Sequence, residues 1–271
     1  MTAMKKHIGV SMYPEVVLNV PGNRVQKQLL ADFGSGDAIL SWLKQKGVEY
    51  VELRMLNGKL SPDDYVCFLE KVWQEGMKVT IHGVMPAEKP EEYVLRYQRV
   101  LELICERQTE TVFTVHSLQE RMQTREALVS LYRELQKYSG IRLSLENQRI
   151  HDTDHLHYSV SGVAENAAAC DAGTTWDMGH YAYNIQKEIN AVPEKSLLAQ
   201  VIHTHIHSID NEGNTHHHLT ENPVKGYIRS LQECGYSGIY NLELFAKTYP
   251  ETSSPKKTLE DAICLLKSML G

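Results

Sequence analysis

Short apolar runs rich in β-branched residues recur along the whole chain and alternate with windows of helical periodicity. Runs of this kind, bounded by turn residues, are typical of buried strands. We predict eight strands, spaced about thirty residues apart, as repeated βα units require. The predicted strands cover residues 7–12, 48–54, 78–82, 111–116, 141–146, 173–177, 201–207 and 238–243.

The windows between these runs carry helix start and stop signals. Ser61 can cap a helix that has Pro62 at its first position and Asp63 and Asp64 in its first turn, and Gly76 ends the pattern. Proline marks three similar starts, and these are Lys89-Pro90 with a helix to about Arg107, Asn222-Pro223 with a helix closing at Gly235, and Ser254-Pro255.

Eight strands in strict alternation with about eight helices favour a single (β/α)8 TIM barrel over an open sheet. A doubly wound sheet would need only five to seven strands and a site at a switch point. No linker or change of composition divides the sequence. We therefore predict one domain over residues 1–271.

Six consecutive predicted strands, the third to the eighth, end in a residue that can bind a metal ion. Catalytic residues of such barrels cluster at the carboxyl ends of the strands, where parallel sheets otherwise carry apolar or turn residues. Imidazole and carboxylate ligands together suit Zn, Mn, Fe or Co better than Mg or Ca. The sequence therefore predicts a metal centre built from His82, His116, Glu146, Asp177, His205 and Glu243.

Two further groups of histidines lie next to these strand ends. His180 follows Asp177 by three residues, so both side chains can face one cavity. On the seventh strand, whichever of His205 and His207 lies at the rim is expected to reach the metal, and His203 is expected in the core.

The remaining histidines fall on predicted loops. In the run His216-His217-His218 after the seventh strand, we expect His218 to be a ligand, whereas His217 is equally compatible with the surface. We interpret the histidines that follow the fifth strand as loop residues, and these are His151, His155 and His157.

Charge and composition narrow the classes of protein. The 271 residues contain 28 Lys and Arg against 34 Asp and Glu, a net charge of −6, with 13 histidines and 5 cysteines. A net negative charge argues against electrostatic binding of nucleic acid or an anionic membrane by the protein surface as a whole. The sequence has no stretch of apolar residues typical of a membrane helix or a signal peptide. Five scattered cysteines without CxxC spacing favour a reducing cytoplasm.

With these residues in place, nearly the whole chain resembles the xylose isomerase-like TIM-barrel superfamily. One branch is the endonuclease IV group, AP endonuclease family 2, which cuts at abasic sites with three zinc ions on nine ligands. The resemblance implies a ligand set of His82, His116, Glu146, Asp177, His180, His205, His216, His218 and Glu243. His216 departs from the family, which has aspartate there in an Asp-x-His pair.

The second branch contains sugar isomerases and ketose 3-epimerases, which use one metal held by Glu, Asp, His and Glu. Glu146, Asp177, His205 and Glu243 match that quartet, and Val51-Glu52-Leu53 also resembles this branch. These epimerases carry an arginine shortly after the strand-seven histidine. This chain has Ile209-Asp210-Asn211-Glu212 instead.

We favour a metal-dependent isomerase or epimerase that acts on a small sugar or polyol. One of Glu146 and Glu243 would remove a proton beside a metal-polarised carbonyl and the other would return it. The cofactor would be one to three divalent transition-metal ions, Zn, Mn or Co. The residues predicted to contact substrate are His180, Glu52, Arg54 and His207. The sequence leaves open whether the chain forms a homo-oligomer.

Two other hypotheses stay open. A phosphodiesterase would hold one metal with His82, His116 and Glu146, a second with the quartet, and a third with His180, His218 and His216. The loop after strand seven is acidic, and we expect Arg54 and Lys59, the only suggestive cations, on the solvated surface, so nucleic acid is the less favoured partner. The third hypothesis is a non-catalytic metal-binding barrel. It does not explain the paired Glu146 and Glu243, which are costly to bury unless they have a function.

Overall fold

The computed structural model describes residues 6–56, 59–84, 89–116, 125–150, 159–187, 195–244 and 253–271. Eight parallel strands form a closed barrel in chain order, in which the first strand pairs with the eighth. The predicted (β/α)8 barrel is therefore confirmed. The strands are β1 His7–Met12, β2 Tyr50–Leu56, β3 Lys78–Gly83, β4 Thr111–His116, β5 Ile141–Glu146, β6 Gly173–Asp177, β7 Val201–Ile206 and β8 Ile239–Leu242.

Helices pack around the barrel and connect successive strands. Those in the described ranges are α1 Pro14–Val17, α2 Arg24–Phe33, α3 Gly36–Gln45, α4 Pro62–Gln74, α5 Pro90–Arg96, α6 Gln98–Arg107, α7 Arg125–Leu135, α8 Val160–Ala168, α9 Met178–Gln186, α10 Lys195–Leu198, α11 Val224–Glu233 and α12 Pro255–Leu270. They outnumber the eight expected because the β1–β2 connection contains three helices and the β3–β4 and β6–β7 connections contain two each.

The predicted helix from Pro90 to Arg107 is in fact two helices. The chain leaves helical geometry at Tyr97, whose φ of −105° and ψ of 16° end α5 and begin α6. The Tyr97 ring is buried and packs edge-on against Tyr65 and Tyr93. This aromatic packing accompanies a break that the helical periodicity did not reveal.

The predicted start of α4 matches the structure. The Ser61 side chain accepts a hydrogen bond from the Asp64 backbone N–H, and the Asp64 carboxylate accepts one from the Ser61 N–H. This reciprocal pair is a capping box, which satisfies two backbone donors that a helix start otherwise leaves without partners.

Strand register brings the predicted strand-end residues to one level of the barrel. His116 of β4 pairs with Glu146 of β5, and Asp177 of β6 pairs with His205 of β7. Glu243 follows β8 directly, and its backbone N–H donates to the carbonyl of Ile206 at 3.1 Å. The carboxyl end of the barrel is therefore the end that carries the candidate chemistry.

Among the described residues, no helix combines the length and the apolar character needed to cross a membrane. All five cysteines are free thiols, and these are Cys67, Cys105, Cys170, Cys234 and Cys264.

Candidate metal centre

Four side chains from consecutive strand ends form a compact quartet. Glu146 ends β5, Asp177 ends β6, His205 lies in β7 and Glu243 follows β8. One potential ligand atom from each lies within 4.8 Å of those of the other three, and all four residues are buried. Three carboxylates at this distance require positive charge among them, because isolated buried anions are very costly.

The atoms of the quartet that face one another lack other partners. Both oxygens of Glu146, Oε2 of Glu243 and Nδ1 of His205 are buried and have no hydrogen-bond partner among the described residues. His205 Nδ1 lies 3.3 Å from Glu146 Oε2 and 3.1 Å from Glu243 Oε2. Buried polar atoms are normally satisfied, so this convergence of oxygens and nitrogen fits a divalent cation bound between them.

A second group of potential ligands adjoins the quartet on the side of β3 and consists of His82, Glu146 and His205. His82 Nε2 lies 3.1 Å from Glu146 Oε2. Its Nδ1 lies 3.0 Å from the carbonyl of Gly83, which can only accept, so in a neutral ring Nε2 carries the lone pair. His116 lies further out, half-buried, with Nε2 3.6 Å from Glu146 Oε2.

A third group adjoins the quartet on the opposite side and consists of Asp177, His180, His207 and His216. His180 Nδ1 is 3.3 Å from Asp177 Oδ2 and 3.4 Å from Glu146 Oε1. His216 Nε2 is 3.6 Å from Glu243 Oε2. Glu146 and Asp177 each belong to more than one group, so the three groups form one continuous cluster.

His207 orients Asp177 through a hydrogen bond. His207 Nε2 donates to the Asp177 carboxylate, which only accepts, at 3.0 Å, and Nδ1 lies 2.8 Å from the backbone N of His216 and 3.1 Å from the carbonyl of Ser208. The ring is wholly buried, and Gly179 beside it leaves the space that the ring fills. The predicted contact between His207 and substrate does not agree with this enclosed position.

The prediction that Arg54 lies on the solvated surface is wrong. It lies inside β2 with 3% exposure, donates from Nη2 to Glu243 Oε1 at 3.0 Å and stacks its guanidinium 5.0 Å from the Tyr13 ring centre. Lys59 is exposed, as expected. Arg54 thus neutralises a carboxylate of the quartet, and its predicted contact with substrate stays a prediction.

Glu52 and His203 lie below the quartet in the barrel interior. Both are fully buried, and His203 Nε2 lies 3.0 Å from Glu52 Oε2. The expected core position of His203 agrees with the structure. Four protein side chains contact the two oxygens of Glu52, and its predicted contact with substrate stays a prediction.

The three consecutive histidines of the loop after β7 have different surroundings. His216 adopts a left-handed backbone with φ of 59° and joins the third group. His217 pairs its backbone with Ser208 and its side chain is half-buried. Within the described chain, His218 joins none of the groups, and its ring packs 4.2 Å from that of His217. Its predicted role as a ligand therefore lacks support from this geometry. His151, His155 and His157 lie outside the described residues.

The cluster shifts the pKa values of its members. Burial raises the pKa of Glu146 and of Glu243, but His205 and the neighbouring cations outweigh it and hold both carboxyls well below their usual range. Burial lowers the pKa of His180, but Asp177 and Glu146 outweigh it and raise the value to about 8. Burial and the His207 charge lower the pKa of His216 to about 3. The metal-free cluster therefore combines ionised carboxylates with a protonated His180 and a neutral His216.

Asn147 was not predicted and fixes the geometry between β5 and β6. Its side-chain amide donates to the carbonyl of Asp177 at 2.9 Å and accepts from the Asp177 backbone N–H at 2.8 Å. The carbonyl of Asn147 also lies 3.2 Å from His180 Nδ1. Asn147 directly follows Glu146 at the carboxyl end of β5, and this position could have marked it as a candidate site residue in the sequence.

The sequence matches no protein-family model and no curated protein. Solved structures are similar in fold. D-psicose 3-epimerase with D-tagatose from Clostridium cellulolyticum H10 has a TM-score of 0.60 at 9% identity, covering 96% of this chain and 98% of that one. The AsfvAP:AG structure has a TM-score of 0.59 at 12% identity, with 98% and 100% covered. Active domain 2 of a chitinase from Pyrococcus furiosus has a TM-score of 0.54 at 11% identity, with 98% and 97% covered. These identities show the fold alone.

Proposed function

We propose that this protein is a metal-dependent isomerase or epimerase of small sugars or polyols, in the xylose isomerase-like superfamily. The observation that carries the proposal is the quartet, in which two buried glutamates without hydrogen-bond partners for their inner oxygens meet at one histidine. Paired carboxylates of this kind can move a proton at a carbon atom beside a carbonyl.

The residues present fit a divalent ion held by Glu146, Asp177, His205 and Glu243. When bound, such an ion acts as a Lewis acid toward a substrate carbonyl. Glu146 and Glu243 are both ionised in the metal-free cluster, and their lowered pKa makes each a weaker base than a free glutamate. One carboxylate would remove the proton next to the carbonyl, and the other would first take up a proton from solvent and then return it to the opposite face. His180, between Asp177 and Glu146, would donate a hydrogen bond to a sugar oxygen.

A cavity bordered by Arg54, the ion-pair partner of Glu243, has the size and lining for a small polar molecule. It measures about 280 Å³ and is bordered by Tyr13, Gln26, Arg54, Lys59 and Tyr65, among others. Its aromatic and hydrogen-bonding side chains suit the hydroxyl groups and C–H faces of a sugar. Arg54 lines this cavity and pairs with Glu243, so it connects the cavity wall to the quartet, whose four residues are not among those lining the cavity.

The structural comparison agrees with this assignment at the level of fold, since a D-psicose 3-epimerase shares the barrel over nearly its full length. The local charge also supports a small substrate over a nucleic acid. Arg54 is paired with Glu243 inside the barrel. The loop after β7 exposes Glu212 and carries the half-buried Asp210, whose carboxylate accepts from the backbone N–H groups of Glu212 and Asn214.

The test is a panel of ketoses and aldoses in D₂O, in which exchange of substrate hydrogens is followed by proton NMR with Mn²⁺, Co²⁺ or Zn²⁺. We expect deuterium incorporation and a new sugar isomer or epimer with the wild-type protein. Glu146→Gln and Glu243→Gln should abolish both. Glu49→Gln is the matched control, because Glu49 pairs with His7 at the opposite end of the barrel and its loss should leave turnover unchanged.

A second candidate is a multinuclear phosphodiesterase. The sharing of Glu146 and Asp177 between adjacent groups of ligands favours it, because bridging carboxylates are how neighbouring metal ions are held a few ångströms apart. The AsfvAP:AG structure shares the fold. In such an enzyme, clustered metals stabilise the attacking and leaving oxygens of the phosphodiester.

Metal stoichiometry and substrate choice separate the two candidates. One tightly bound ion per chain with exchange into a sugar supports the isomerase. Three zinc ions per chain with nicking of duplex DNA at an abasic site would replace it with the phosphodiesterase. If Glu146→Gln left metal content unchanged, the quartet would not be the metal centre and both proposals would fail.

A further inference from the structure

Below the quartet, Glu52 is surrounded by hydrogen-bond donors. Its Oε1 accepts from Ser11 Oγ at 2.5 Å and from Asn241 Nδ2 at 3.0 Å. Its Oε2 faces His203 Nε2 at 3.0 Å and His205 Nε2 at 3.1 Å. All five residues are buried to at least nine-tenths, so this is a built polar layer inside the barrel.

The carboxylate determines which nitrogen of His205 carries a proton. Oε1 of Glu52 receives two donors, because Asn241 Nδ2 can only donate and Ser11 Oγ, which accepts from Asn241 at 2.8 Å, donates its own proton to Glu52; this is the environment of an ionised carboxylate. An ionised carboxylate only accepts hydrogen bonds, and therefore the Nε2 facing it must be protonated. In a neutral ring this leaves the lone pair on Nδ1, the atom that points at Glu146 and Glu243.

We infer that Glu52 is a positioning residue for the metal centre: it fixes His205 in the tautomer that presents Nδ1 to the quartet and strengthens Nδ1 as a ligand. The inference rests on the metal-binding part of the proposed function. A carboxylate behind a histidine ligand fixes the ring orientation and raises the basicity of the ligand.

His203 provides a matched comparison. It approaches the same oxygen of Glu52 at nearly the same distance, and its side chain is just as deeply buried. Its ring belongs to a group with Glu52 and His205 but not to the quartet. Removing His203 therefore disturbs the Glu52 layer without changing the ring that presents Nδ1 to the metal.

The experiment measures Zn²⁺ affinity by competition with a chelator in wild type, Glu52→Gln, Glu52→Asp and His203→Gln. We expect Glu52→Gln to weaken Zn²⁺ binding by about 10- to 100-fold, the usual effect of losing such a partner. Glu52→Asp keeps the charge and should recover part of the loss. His203→Gln retains a donor toward Glu52 and should stay within about threefold of wild type.

A direct readout of the tautomer keeps the inference testable if a variant fails to fold. Long-range ¹H–¹⁵N spectra of the Zn²⁺-loaded wild type should show a protonated Nε2 and a metal-bound Nδ1 on His205. Co²⁺ loaded into Glu52→Gln should give a changed visible spectrum, while His203→Gln should match wild type.

The outcomes are distinguishable. If wild type binds no Zn²⁺, the proposed function fails and the inference with it. If wild type binds Zn²⁺ and Glu52→Gln binds equally well, or His205 bonds the metal through Nε2, only the inference about Glu52 is overturned. Equal losses in Glu52→Gln and His203→Gln would also overturn it, since they would indicate a general effect of the buried layer.

Discussion

Arg54 donates to Glu243 at 3.0 Å, with the Arg54 side chain 2% exposed and that of Glu243 3% exposed. The guanidinium comes from β2 and the carboxylate from the residue after β8, so the pair spans β1, which lies between these strands. It holds one oxygen of Glu243 outward while the other faces His205. The pair therefore sets how Glu243 enters the quartet.

Arg54→Met should destabilise the metal-free protein by about 3 kcal/mol, because removing one partner of a buried ion pair leaves the other charge uncompensated. The free energy of unfolding in urea measures the change. Arg142→Met is the matched control, since Arg142 pairs with Glu110 at 2.7 Å but both side chains are more than half exposed. We expect a loss of less than about 1 kcal/mol there.

The double variant Arg54→Met with Glu243→Leu separates the two contributions. With both charges gone, much of the stability should return, because well-packed apolar residues replace a buried pair at little cost. Equal losses in Arg54→Met and Arg142→Met would show that the Arg54–Glu243 pair is not stabilising Glu243 in the barrel.

Gly179→Ala should destabilise the protein by about 2 kcal/mol, because an added methyl group would overlap the ring of His207 and overpack a filled site. The displaced ring would also lose its hydrogen bond to Asp177, so Zn²⁺ affinity should fall. Gly226→Ala is the control. It lies in α11 with nothing within 4 Å of the added methyl, and it should gain about 0.5–1 kcal/mol from helix propensity.

Urea unfolding and chelator competition test both glycine variants. If Gly179→Ala were as stable as Gly226→Ala and bound Zn²⁺ like wild type, the contact between His207 and Asp177 would not position the quartet.

The barrel and the quartet were predictable because both depend on short-range patterns. Each strand is an apolar run in the sequence, and in a parallel barrel the carboxyl ends of all strands lie at the same end, so residues at those ends are brought close together. Glu146, Asp177, His205 and Glu243 end or follow consecutive strands, and this order was sufficient to bring them together.

The supporting residues were harder to predict because their roles depend on partners distant in sequence. Glu52 was expected to meet substrate, yet its burial between Val51 and Leu53 in a strand already indicated that it needs internal partners. In the third group we expected His218, but the structure has His207 there. His207 contacts the backbone N–H of His216, nine residues further along the chain, and His216 adopts a left-handed conformation. Neither is visible in a pattern of residue types.

Metal affinity should rise with pH. In the metal-free protein the pKa of His180 is raised to about 8, and that of His205 is raised well above its usual value by Glu52, Glu243 and Glu146 against the effect of burial. Metal must displace these protons, so the apparent Zn²⁺ affinity should increase by about tenfold per pH unit for each proton released. Chelator competition between pH 5.5 and 8.5 measures this slope.

The free energy of unfolding of the metal-free protein should fall as pH rises, at least for the contribution of the cluster histidines. A histidine whose pKa is raised on folding contributes stability below its unfolded pKa of about 6.5, and this contribution is lost as pH rises through the folded value. For His180 the loss falls between about pH 6.5 and 8. His180→Asn should flatten this part of the urea-unfolding profile. A Zn²⁺ affinity that does not change with pH would contradict the assignment of protonated histidines to the cluster.

Removing bound metal should lower the thermal unfolding temperature, because the ion binds the folded quartet and not the unfolded chain. At a free metal concentration of 1,000 times Kd the expected stabilisation is about 4 kcal/mol. Scanning calorimetry of Zn²⁺-loaded and chelator-treated protein measures the difference. Asp177→Asn is the control for the site, since it keeps the shape of the side chain but removes a charged ligand at the centre of the cluster. Its unfolding temperature should respond little to Zn²⁺. An equal response in wild type and Asp177→Asn would place the stabilising ion elsewhere on the protein.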